Sequence, residues 1–163
     1  MTNAQMIHRY NNTTNSCMYM AFELSNKTWQ LMFSNGVNRR QKSMPARDLQ
    51  RLETEIIKAR HHFKLDDAVL IHSCYEAGRD GFWLHRYLKE KGLNNIVVDS
   101  SSIEVNRRSR RAKTDRIDAG KLVAMLIRYH SGEQKLWSVL HVPSVQQEDD
   151  RRIIREIERL KKE

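Results

Sequence analysis

Cysteine is scarce and unpatterned: Cys17 and Cys74 are the two in 163 residues. Two isolated thiols supply neither a disulfide framework nor the paired spacing of a zinc site, so reduced thiols in a cytoplasmic compartment are the expectation. No apolar run approaches the ~20 residues that a membrane-spanning helix needs. The first residues hold no hydrophobic segment of the signal-peptide kind, so no leader is expected. A glycine-rich phosphate loop is also missing: Glu76-Ala77-Gly78-Arg79-Asp80-Gly81 has glycines but not the motif. Together these absences argue against a disulfide scaffold, a membrane span and a phosphate-loop enzyme.

Positive charge is what the chain has in excess. Lys and Arg number 29 against 20 Asp and Glu, a formal net charge of +9, and the isoelectric point is about 9.8. The default partner of such a protein is a polyanion: DNA, RNA or, less readily, an anionic membrane surface. Hydrophobic residues make up 39% and charged residues 30%, which suits one globular domain with a real core.

Residues 1–16 are polar and aperiodic and read as a mobile tail. The stretch 17–25 reads as a buried strand interrupted by one acid, Glu23, and 27–34 as a second strand. Ser34-Asn35-Gly36 is a turn signal that predicts a hairpin into a third strand near 37–43. Pro45 suits the first turn of a helix, along which Leu49, Leu52, Ile56, Ala59 and Phe63 recur on one face. Residues 67–73 form a short apolar run of the doubly covered kind. A helix is expected over 79–91, with Trp83, Leu84, Tyr87 and Leu88, closed by Gly92. Residues 95–99 predict another buried strand, 115–129 a helix, and 135–142 an extended segment up to Pro143. A charged helix starts near Val145 with Ile153, Ile157 and Leu160 as a thin stripe. It runs off the end of the chain, as in a fragment of a longer protein or a helix that pairs with another chain. That stripe needs burial, either on its own domain or in a homodimer or higher oligomer. Hairpins followed by alternating helices and strands mean a mixed five-stranded sheet with helices on both faces, the element order of the ribonuclease H-like α/β fold.

Acids mark candidate positions on this frame. Glu23 lies in an apolar strand, where a carboxylate needs a cation, a hydrogen-bond network or a solvent-facing strand end. Glu76 follows a strand, where open α/β sheets place ligands. Asp115 and Asp118 are one turn apart at a helix start whose apolar face must pack on the sheet. Converging, the four would repel one another until a divalent cation such as Mg2+ or Mn2+ joined them. Each also has an ordinary reading: helix-dipole complements for the aspartates, with Thr114 or Asp115 as the cap, a strand-end residue for Glu23, a loop acid for Glu76. The joint placement makes the case. Beside them, Arg107, Arg108, Arg110, Arg111, Lys113 and Arg116 form a dense cationic run suited to phosphate contact, with a solvated loop as the alternative. His72, His85, His130 and His141 show no ligand spacing, and Cys74 reads as a buried thiol.

The sequences around Glu23 (Phe22-Glu23-Leu24-Ser25) and Glu76 (Tyr75-Glu76-Ala77-Gly78), and the run from Arg111 through Lys113-Thr114-Asp115-Arg116-Ile117-Asp118-Ala119, resemble the amino-terminal RuvC-like domain of the DEDD transposases. These are insertion-sequence recombinases guided by a structured bridge RNA. The resemblance covers roughly residues 17–163, with the domain itself at 17–132 and a connector starting at 133–163. It implies a ribonuclease H-like fold and a catalytic metal-binding tetrad of Glu23, Glu76, Asp115 and Asp118. It further implies DNA cleavage and exchange, with DNA and structured non-coding RNA as partners. The family's nucleophilic serine lies in a later domain, so this chain would be an incomplete recombinase. The family's usual first acid is Asp; Glu23 carries its carboxylate one methylene farther out. A non-catalytic nucleic-acid-binding scaffold of the same fold is the alternative expectation.

Overall fold

A computed structural model describes residues 16–78, 81–103 and 117–162. The first three strands, β1 (Cys17–Glu23), β2 (Thr28–Ser34) and β3 (Arg39–Pro45), form an antiparallel meander. Its second turn is built by Asn35, whose side-chain oxygen accepts from the Val37 and Asn38 N–H groups at 3.0 and 2.7 Å. Gly36 supplies the positive φ of 94°.

Pro45 does not start the next helix. It pairs with Thr28 at the end of β3, an edge strand where a missing N–H costs nothing. Helix α1 (Leu49–His62) begins four residues later, because Asp48 is the stronger start signal: its carboxylate accepts from Arg51 N–H at 3.0 Å. Strand β4 (Leu70–Glu76) likewise lies three residues beyond the apolar run read from the sequence. The Asp66 side chain accepts from Ala68 N–H at 2.8 Å and so turns the chain before the strand can begin. Glu76 is therefore the last residue of β4 and not part of the following loop. Helix α2 (Trp83–Glu90) starts later than expected and ends before Gly92, whose φ is 84°.

Strand β5 (Asn94–Val98) completes the sheet, whose order is β3-β2-β1-β4-β5. β4 and β5 run parallel to β1. Helix α3 (Ala119–His130) follows the basic segment, and α4 (Val145–Leu160) closes the described chain with a capping box made by Ser144 and Gln147. The stretch before Pro143 is extended in part only: residues 134–136 form a 3-10 turn. Leu140 N–H then donates to Val97 at 2.8 Å, which covers the free edge of β5.

Strand alternation divides the core into two. Met18, Met20, Phe22, Trp29, Leu31, Phe33, Tyr75 and Val97 face α1 and α2. Ala21, Met32, Cys74 and Val98 face α3, where Leu122, Val123 and Leu126 cover them. The mixed five-stranded sheet with helices on both faces is thus as expected. Helix α4 stands apart: none of its residues is buried, and Ile153, Ile157 and Leu160 are exposed, so the stripe does not pack on the described residues of its own domain. Its first turn is tied down by an Arg86–Glu148 ion pair at 2.6 Å.

Candidate functional site

The two glutamates singled out by the sequence meet at the carboxyl end of the sheet. In the parallel β1–β4 ladder Phe22 pairs with Tyr75, so Glu23 and Glu76 stand side by side one residue further on, about 4.8 Å apart at strand spacing. Phe22 and Tyr75 belong to the core under α1 and α2. Alternation therefore turns both carboxylates to the α3 side. There they line one cleft with Gly78, Gly81, Ile117 and Leu122. Both are half-buried, and among the described residues no hydrogen-bond donor or cation pairs with Glu23.

Asp118 follows directly on the cleft-lining Ile117, but it is not in the first turn of a helix. It is the residue before α3, and its Oδ1 accepts from Lys121 N–H at 2.8 Å. The cap is therefore Asp118 and not Thr114 or Asp115, and one of its carboxylate oxygens is committed to that role. Helix α3 begins at Ala119, four residues later than the sequence reading had it. Asp115 and the cationic run Arg107, Arg108, Arg110, Arg111, Lys113 and Arg116 lie outside the described residues. Among the described residues no three His, Cys, Asp or Glu side chains are grouped so as to hold a metal ion. The structure brings Glu23 and Glu76 together; Asp118, next in the chain to a lining residue, is not itself among those that line the cleft. Upstream of the basic run, Ser101 Oγ donates to the Asp99 side chain at 2.9 Å and Ser102 Oγ to the Asp99 carbonyl at 2.6 Å, so both are committed locally.

Beneath the cleft the polar groups are ordered. Tyr75 donates its hydroxyl proton to the Gly81 carbonyl at 3.1 Å and accepts from the His85 backbone N–H at 3.2 Å. This ties the cleft rim to α2. Ser73, Asn95 and His85 continue the network at 2.7 and 2.9 Å. Cys74 is buried under α3 and burial pushes its thiol up from the ordinary value, with Glu76 adding to the shift. It is an inert core thiol, as expected.

Two features have no signal in sequence spacing. His72 on β4 and His130 at the end of α3 stack with ring centroids 3.7 Å apart, and Asn94 holds His72 Nδ1 at 2.9 Å. Burial, then the charge on His130, lowers the His72 pKa to about 4, and burial lowers that of His130. The other is Glu55, fully buried in α1 at an i, i+4 distance from Arg51, a pattern that ordinarily marks a solvated helix face.

An α/β chain with paired acids where two parallel strands end is the class of site just described. No family model matches the chain. Over 81 residues it is 51% identical to the putative transposase y4rJ of Sinorhizobium fredii, a match that takes in 50% of this chain and 20% of that protein. Over 62 residues it is 40% identical to the transposase for insertion sequence element IS1533 of Leptospira borgpetersenii, covering 38% of this chain and 18% of that one. The chain thus spans about a fifth of the length of these relatives. Among solved structures, the Pelota protein of Thermoplasma acidophilum overlays 83% of this chain and 40% of its own, with a TM-score of 0.35 and 16% identity. That likeness is too slight to define the fold.

Proposed function

We propose that this chain is the amino-terminal, ribonuclease H-like part of a transposase of the DEDD kind, acting in DNA strand cleavage and exchange. The observation that carries it is the cleft itself: Glu23 and Glu76, at the ends of neighbouring parallel strands, share one opening. Similarity to two proteins named transposases supports the class. The donor chemistry suits a hard divalent cation, Mg2+ or Mn2+, since carboxylate oxygens are the ligands such ions take. Glu23 and Glu76 would hold it, with Asp118 contributing the oxygen that does not cap α3 and Asp115 completing the set. Bound there, the ion would stabilise charge on the oxygens of a phosphodiester. This chain's own part is to hold the glutamates on rigid strands, with Ile117 and Leu122 shielding one side. The basic run from Arg107 to Arg116 would bind nucleic acid, including a structured guide RNA, and the exposed α4 stripe would join copies or further domains.

In the full-length protein, Glu76→Gln and Asp115→Ala should each abolish strand cleavage while circular dichroism stays native. Cleavage at the parent rate in either variant would defeat the reading. The second reading, a non-catalytic nucleic-acid scaffold, is favoured by the Asp118 cap and by the lack of a three-ligand group among the described residues. Manganese titration separates the two: a binder's melting temperature climbs with free metal, whereas a scaffold's stays put while DNA still binds.

A further inference from the structure

The side of the sheet that carries no acids of the cleft holds a charge surplus of its own. Glu55 is fully buried, yet three cations converge on its carboxylate: Arg40 at 3.2 Å, Arg51 at 3.1 Å and Lys58 at 3.9 Å. One carboxylate balances one of them. Arg40, whose side chain is 15% exposed, donates to Glu55 Oε2 and is the partner that burial demands. Arg51 and Lys58 keep 48% and 53% of their side chains in solvent, so their charge is surplus to the pair. Lys42 adds to it. In β3 it pairs with Leu31, a residue of the core under α1, so it stands on the same sheet face as Arg40, two residues away. Lys42 is exposed. Four cations, against Glu55 and the capping Asp48, therefore run along the edge strand and the neighbouring face of α1.

We infer that this face is a docking surface for the phosphate backbone of duplex DNA, on the opposite side of the sheet from the acidic cleft. Charge complementarity is the first argument: Arg51, Lys58 and Lys42 project from two rigid elements, and Glu55 with Arg40 fixes α1 against β3 so that the three stay in register. The scarcity of exposed stacking side chains among the described residues is the second. Single strands are held largely by bases stacked on aromatic side chains, and among the described residues no Trp, Tyr or Phe is exposed. A paired duplex, read by its phosphates alone, is what a purely cationic face fits. The inference rests on the DNA-partner part of the proposed function and on neither the acids nor a metal.

Fluorescence anisotropy of a labelled, random-sequence DNA duplex against the 163-residue chain, repeated over a salt series, tests it. Lys42→Gln and Lys58→Gln both spare the Arg40–Glu55 pair, and unchanged thermal unfolding confirms that. Each should weaken binding and flatten the slope of log K against log salt by about 0.9, the share of one phosphate contact. Glu23→Gln should leave the slope as it is. If the parent chain binds duplex and both lysine variants keep its slope, this surface is not a contact and the inference falls alone. No duplex binding by the parent chain would overturn it together with the DNA-partner reading. Variants that lose affinity for a labelled structured RNA but not for duplex DNA would overturn the choice of partner.

Discussion

The two faces of the sheet are built from different materials. Under α1 and α2 lie large interlocking side chains: Phe22 meets Trp29 and Tyr75 edge to face, with ring centroids 6.2 and 6.4 Å apart, and Leu52, Leu84 and Leu88 close over them. Under α3 the strands contribute the small or flexible Ala21, Met32 and Cys74, and both ends of that layer are polar. Glu23 and Glu76 occupy one end; His72 and His130 occupy the other. One face supplies cohesion, and the thinner one leaves room for a cleft.

The comparison breaks if the faces respond alike to substitution. The largest effect should come from the dense face: Trp29→Ala removes a fully buried side chain and should cost about 3–5 kcal/mol, read by denaturant unfolding. Next comes Glu55→Ala, also under α1. It strands a mostly buried Arg40, and losing one partner of such a pair costs roughly 3 kcal/mol; Arg51 and Lys58 simply rehydrate.

A smaller effect, strongest on the α3 face, is acid sensitivity. His72, His130 and His85 all have folded-state pKa values below the ordinary 6.5, burial being the first cause for each. For His85 the charges of Lys89 and Arg86 add to it. The unfolded chain therefore binds protons that the folded one refuses, and the stability these neutral rings contribute is intact above pH 6.5. It drains away as the pH falls from 6.5 towards about 4, the His72 value. Glu53 and Glu133, held below the usual 4.5 by Lys91 and Arg128, lose their contribution only lower down. A melting temperature that declines between pH 6.5 and 4.5, and declines less in His72→Gln, would sharpen the contrast. A flat profile over that range would remove the histidine stack from the account.

The smallest expected change is also the most telling. Glu23→Gln should leave unfolding within about 0.5 kcal/mol of the parent, or raise stability slightly, because a half-buried acid beside Glu76 repels it. A marked loss would mean that the carboxylate is structural and would favour the scaffold reading.

Much of this was legible beforehand, and the misses have physical causes. The strands came from apolar runs, and Asn35-Gly36 announced the hairpin. Pro45 misled because a proline at an edge-strand end and one at a helix start look alike in one dimension. Asp48 and Asp66 decided the matter through short-range hydrogen bonds to Arg51 and Ala68. Glu23 and Glu76 were legible as acids next to apolar strands. Their shared cleft was not, since it depends on a parallel β1–β4 pairing between residues about fifty positions apart in sequence. Asp118 was read as a helical residue and is a cap, because its side chain competes for the Lys121 N–H that a helix start leaves over.

Periodicity and turn chemistry settled by themselves most element types and the α/β class, because each depends on neighbours along the chain. Only the tertiary structure decided which strands lie next to each other, that Glu23 and Glu76 turn towards α3, that His72 stacks on His130, and that Glu55 is buried among three cations. Those outcomes follow from sheet order and pleat, which bring together residues that no local spacing connects.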